Sequence, residues 1–199
     1  MKLSQSRRGF LAVVIAGACL LPSVSSAAIT VIGSGPDSSY LILESPNLGI
    51  QTYEIHYTYN SLNPQDAWFL LSQVATEESY TVAKTNYGSE SEPNYYISSI
   101  NGETGTSTFP YLYWAHWVSG GLGFQGPGPD YNYDPGVPPL ESWTAGYGVS
   151  THLIAPGSSD ALVYSDGSSQ PSFAPIPETS SAVLGVLGSF VIFRRRRNG

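Results

Sequence analysis

Few side chains in this chain are equipped for chemistry. Its 199 residues include three histidines, His56, His116 and His152, and a single cysteine, Cys19. The histidines lie far apart in sequence, and the first two fall in candidate strands. Histidines on strands usually pack rather than ligate, so they are expected as half-buried core residues, not as a zinc set. Glu54 and His56 share one face of a candidate strand at a spacing of two, which suits an acid–base pair. The expected outcome is a plain hydrogen bond along that face. No Gly-x-Ser-x-Gly elbow, phosphate loop or Cys-x-x-Cys occurs. A hydrolase would need a buried, convergent set of Glu, Asp or His, and the sequence shows none. The expectation is a protein without catalytic residues.

The sharpest local pattern is Asp130-Tyr131-Asn132-Tyr133-Asp134-Pro135-Gly136. Oxygen donors at Asp130, Asn132 and Asp134 alternate as in a calcium loop, and Glu141 falls where such a loop places its last carboxylate. Pro135, however, stands where the loop needs Gly, and Pro138-Pro139 would block an exiting helix. An exposed acidic turn with no cofactor is expected, and calcium is the competing reading. Fourteen Tyr and four Trp could line a sugar-binding face. In a small β domain most of them should fill the core or pair across strands.

These residues need strands to hold them. Ile29–Gly33 and residues 40–44 are short apolar runs bounded by Ser, Gly and Pro, and residues 51–59 alternate as a half-buried strand does. Asn63-Pro64-Gln65-Asp66 reads as an N-cap, a first-turn Pro and a first-turn acid. With the stripe Ala67, Leu70, Leu71 and Val74 it predicts one helix over residues 64–76. Further strands are expected at residues 80–84, Tyr95–Ile100, 111–118, 143–150, 152–154 and 161–164, with a turn at Asn101-Gly102. One helix followed by strands points to an α+β, mostly β domain built on a small antiparallel sheet.

Charge is distributed unevenly. Only 12% of residues are charged and the net charge is −7, which excludes a coiled coil and its charge-rich heptads. Between residues 29 and 176, Lys84 faces fourteen acids, a net −13, so nucleic acid is not an expected partner. The other seven bases sit at the two ends, each cluster beside an apolar run. Residues 1–28 read as a basic, apolar and small-residue export signal, cleaved after Ala27 or after Ala28. Cys19 belongs to its apolar run, and Ala16-Gly17-Ala18 lacks the usual lipoprotein Leu. Residues 29–164 form the mature domain, and residues 165–176 are linker-like in composition. Residues 182–193 form a second apolar run of twelve residues, or ~18 Å of helix, too short for a comfortable ~30 Å span. Arg194, Arg195, Arg196 and Arg197 follow it and would stay on the cytoplasmic side. Both apolar segments are expected as terminal helices, the second inserting only transiently.

Three resemblances follow. Ser6-Arg7-Arg8-Gly9-Phe10-Leu11 resembles the twin-arginine signal at every specified position. That implies folded export through the Tat translocase, with Arg7, Arg8, Phe10 and Leu11 as the signal and a signal peptidase acting at Ala27 or Ala28. Pro177-Glu178, an apolar run and an arginine cluster at the end resemble the PEP-CTERM sorting signal, although Thr179 replaces the second Pro of the motif. The resemblance implies cleavage near Pro177 and Glu178 by an exosortase, and delivery to the cell envelope or beyond. Residues 63–164, with Ile100-Asn101-Gly102, a Trp-rich strand ending at Gly120, and Ser159-Asp160 before the last strand, are similar to the carboxyl-terminal β domain of transcobalamin-like carriers. This sequence inserts residues 121–140 and has Ser159 where the carriers have Gly. A β-grasp-like binding or adhesion module is what that resemblance implies. The expected protein is an exported structural or adhesive module of the envelope or matrix, with extracellular polysaccharide as a partner. A ligand-binding protein for a corrinoid or glycan is the alternative.

Overall fold

The computed structural model describes residues 28–125, 137–173 and 175. In chain order the elements are β1 (Ile29–Gly33), β2 (Asp37–Ser45), β3 (Gly49–Tyr57), α1 (Ala67–Glu77), β4 (Val82–Asn86), β5 (Tyr95–Ile100), β6 (Glu103–Thr104), β7 (Tyr113–Ser119), β8 (Gly123–Phe124), β9 (Thr144–Ala145), β10 (His152–Leu153) and β11 (Ser159–Ser165). Six strands form the main sheet in the order β1-β3-β2-β11-β7-β9. A β4-β5-β6 sheet and a β10-β8 pair stand beside it. The domain is mostly β with one helix among the described residues, and most ladders are antiparallel. Two pairings in the main sheet, β1 with β3 and β2 with β11, are parallel.

Burial follows position in the sheet. β2 lies inside it, covered on both faces, so Tyr40, Leu41, Ile42 and Leu43 are all buried. Leu41 and Leu43 pack with α1, whereas Ile42 joins Ala115, Trp117, Trp143, Ala161 and Val163 on the opposite face. The neighbouring β3 alternates instead, with Tyr53, Ile55 and Tyr57 inward and Glu54 and His56 half-exposed. On α1, Ala67, Leu70, Leu71 and Val74 form the buried stripe that the spacing predicts. Each fully buried Leu there contributes about 2 kcal/mol.

Several expectations are corrected. The helix begins at Ala67 rather than residue 64, and its cap is Asp66 rather than Asn63. Asp66 is extended, with φ −113° and ψ 175°, and accepts from the Phe69 amide at 3.0 Å. Tertiary ties hold the chain extended up to that point: Gln65 O accepts from Ile154 N at 2.9 Å, and Asp66 bridges to Leu153. Residues 143–150 are not one strand, because their backbone bonds go to separate partners. Gly146 N donates to His116 O, Val149 N to Tyr95 O, and Trp68 N to Val149 O, which leaves only Thr144–Ala145 in the ladder. The last strand starts at Ser159, two residues earlier than expected, and so takes in Asp160. Asn101 and Gly102 form the expected turn, both at positive φ (51° and 79°), and it leads into β6.

The segment beyond β11 is tied down as far as it is described. Ser172 donates to the Glu44 carboxylate through its amide (2.8 Å) and its hydroxyl, and Trp143 Nε1 donates to Phe173 O at 2.6 Å. Among the described residues no helix is long and apolar enough to cross a membrane.

Candidate functional site

The register of β7 against β11 creates a polar cluster that the sequence did not announce. Asp160 lies opposite Val118 and Leu162 opposite His116, so His116 and Asp160 are diagonal neighbours on one face. That is the face on which Trp114 and Leu162 pack toward α1. His152 arrives from β10, where its pairing with Phe124 of β8 brings the two rings within 5.5 Å. Asp160 Oδ1 then accepts from His116 Nε2 and from His152 Nδ1, each at 2.8 Å. His152 Nε2 donates to Gly120 O at 3.0 Å.

The cluster is sealed. Side-chain exposure is 4% for His116 and zero for His152 and Asp160. Glycines supply the lid, because nothing larger fits. A Cβ on Gly121 would come within 2.5 Å of His152 Nε2, and one on Gly146 within 2.3 Å of His116 Nδ1. Gly121 also sits at φ 85°, in the left-handed region that favours glycine.

Burial by itself would strip His152 of its proton, but the Asp160 carboxylate and its hydrogen bond, with the Gly120 carbonyl, hold its pKa above the ordinary value. Burial likewise opposes ionisation of Asp160, and the His152 charge with the two ring N–H donors keeps its pKa low. Both His152 nitrogens face oxygen acceptors, Asp160 Oδ1 and Gly120 O, so the ring donates twice, as an imidazolium against the carboxylate. The cluster is satisfied unevenly, since Asp160 Oδ2 and His116 Nδ1 are buried without a hydrogen-bond partner. Among the described residues, these three side chains are the one set of three able to share an ion, with donor atoms within 4.8 Å of one another. The expectation that no buried convergent set of Asp and His exists is thus overturned. Of the three histidines expected as half-buried packing residues, only His56 is half-exposed; His116 and His152 are buried and meet at Asp160.

His56 keeps its predicted neighbour, with Nε2 3.1 Å from Glu54 Oε1 on the half-exposed face of β3. That pair is a half-exposed contact on the sheet. Ala28 is exposed just before β1. Arg7, Arg8, Phe10, Leu11 and Ala27 lie outside the described residues, as do Pro177, Glu178, Arg194, Arg195, Arg196 and Arg197. So do Asp130, Asn132 and Asp134 of the acidic turn. One signal for Asp160 was present in the sequence. An acid beginning an apolar strand, Ser159-Asp160-Ala161-Leu162-Val163, is out of place unless something inside the fold receives it.

A second feature borders the cluster. A cleft of about 150 Å³ opens between β5 and β7, lined by Tyr95, Tyr96, Tyr113, Trp114 and Trp117, and reaching His116. Of the rings that line it, Tyr96 (43%) and Tyr113 (47%) are exposed, and Tyr87 (70%), Phe109 (88%) and Tyr111 (62%) are further exposed rings of the domain. Tyr87 packs edge-on to Tyr96, and Phe109 edge-on to Tyr111. Lys84, the lone base between residues 29 and 176, is committed nearby, its Nζ 3.6 Å from the Trp68 ring and 3.3 Å from the Tyr95 ring. No protein-family model, curated protein or solved structure matches this chain.

Proposed function

We propose that this is an exported protein of the cell envelope or extracellular matrix, sorted by an exosortase, whose folded domain is an adhesive module without catalytic activity. The observation that carries the adhesive reading is the number of exposed rings, Tyr87, Tyr96, Phe109, Tyr111 and Tyr113, two of which line the cleft. Flat, solvent-facing rings stack on the apolar faces of sugars, and clustered exposed aromatics mark interaction surfaces. A domain near −13 repels anionic polymers, so a neutral polysaccharide is the fitting partner. The burial of His116, His152 and Asp160 supports a non-catalytic role, since the carboxylate itself has no exposed surface.

The fold reading that goes with this is β-grasp-like. Its support is the hairpin β2–β3, the helix packed on the sheet, and the closing strand β11 parallel to β2 inside it. Export through Tat and tail removal rest on the terminal motifs. Intact-mass measurement of the chain produced in an exosortase-bearing Gram-negative host tests them. The expected mass starts after Ala27 or Ala28 and ends near Pro177-Glu178. Glu178→Ala should retain the tail, and lysines at Arg7 and Arg8 should block export. Normal tail removal from Glu178→Ala, or full export with both lysines, would remove the sorting reading.

The cleft favours one arm of a second reading, in which the domain binds a small ligand. Its ~150 Å³ is well below the ~300–1,000 Å³ of ordinary small-molecule sites. It suits one sugar ring at a chain end, which supports the glycan arm.

A further inference from the structure

The sealed cluster has the donor set of a metal site. Two imidazoles and a carboxylate suit a borderline transition ion, whereas calcium and magnesium call for oxygen donors. His152 is oriented as metal-binding histidines are: its outer nitrogen, Nε2, is tied to the Gly120 carbonyl, which aims Nδ1 at the centre of the cluster. An ion with bonds of ~2.0–2.1 Å in distorted tetrahedral geometry sets donors from different residues ~3.3 Å apart, the two oxygens of one carboxylate lying closer. That spacing is close to the 2.8 Å contacts to Asp160 Oδ1, and all donor atoms of the set lie within 4.8 Å of one another. The orphaned Asp160 Oδ2 points the same way. A buried carboxylate oxygen with no partner is costly, and a bidentate Asp160 would give it one while completing four donors.

We propose that His116, His152 and Asp160 hold one zinc-class divalent ion as a closed structural site, with Asp160 supplying both carboxylate oxygens. Binding releases the Nδ1 proton of His152 to solvent and moves the His116 proton from Nε2 to Nδ1, so that both rings ligate as neutral imidazoles. His116 and Gly146 both line the aromatic cleft, which provides the entry path. The proposal is independent of the adhesive reading, because it concerns the interior of the domain.

The test uses the untagged full chain, stripped with chelator and titrated with Zn²⁺ alone by calorimetry, then with Co²⁺ by visible absorption. One equivalent per chain should bind, the melting temperature should rise, and Co²⁺ should show the intense bands of four-coordinate geometry. Asp160→Asn and His116→Ala should each weaken Zn²⁺ binding by ~100-fold or more. His56→Ala should leave it unchanged. Should either cluster variant fail to fold, the Co²⁺ spectrum of the wild-type chain decides. No binding by the folded wild type, a six-coordinate Co²⁺ spectrum, or binding that survives Asp160→Asn would each overturn the proposal.

Discussion

Strand β7 contributes to two opposite environments within four residues. His116 sits in the sealed cluster with 4% side-chain exposure, whereas Tyr113 stands in the aromatic rim, 47% exposed. What separates them is cover. β11 pairs with β7 along its whole length, but β9 pairs only at Trp117 and Val118, leaving the outer edge of Tyr113, Trp114 and Ala115 without a ladder partner among the described residues. Where the strand is covered on both sides, even a charged pair is held in place by glycine backbone. Where the cover ends, rings accumulate at an open edge, which proteins usually blunt with charge. Open aromatic edges of that kind are suited to contact, and sealed ion pairs are suited to scaffolding.

Breaking the sealed region should have the largest effect. Asp160→Ala leaves a buried imidazolium and a second ring without their shared acceptor, and should cost about 3–5 kcal/mol, read as a lower urea midpoint at unchanged slope. Polysaccharide retention by the fraction still folded should be unaffected.

Next in size is an alkaline limb set by the core. Burial pushes the Tyr57 phenol up to about 12 from its ordinary 10.0, and burial raises Tyr53 as well. A pKa raised by folding stabilises fully below the unfolded value and is lost as pH rises through the folded one. Stability should therefore fall between pH 10 and about 12, by roughly 2–3 kcal/mol from Tyr57 alone at ~1.4 kcal/mol per unit. Melting temperatures across that window would show it, and Tyr57→Phe should flatten the slope.

Asp66→Ala removes the cap of α1 and should cost about 1 kcal/mol, a moderate drop in melting temperature with the fold intact. The smallest effect on stability belongs to the rim. Phe109→Ala with Tyr111→Ala should change it by no more than about 0.5 kcal/mol while abolishing adhesion.

Local features were legible in the sequence and long-range ones were not. Ile29–Gly33 and Tyr95–Ile100 carry their own boundaries, as does the stripe from Ala67 to Val74, because periodicity and turn residues act within a few positions. The Asn63 cap failed because residues 65 and 66 obey partners near residue 154. The run at residues 143–150 failed for the same reason, its backbone being divided among His116, Tyr95 and Trp68. Asp160 was legible as an anomaly and not as a site. Its partners lie 44 and 8 residues away, and only the β7–β11 register brings His116 across from it. Register depends on which strands meet, and a single sequence does not state that.

The division of labour between rim and cluster is tested most directly by co-sedimentation with neutral extracellular polysaccharide. Wild-type full chain and Asp66→Ala should both pellet with the polymer, whereas the Phe109→Ala, Tyr111→Ala chain should stay in the supernatant at an unchanged melting temperature. Equal retention of the rim variant and the wild type would contradict the assignment of adhesion to the exposed rings.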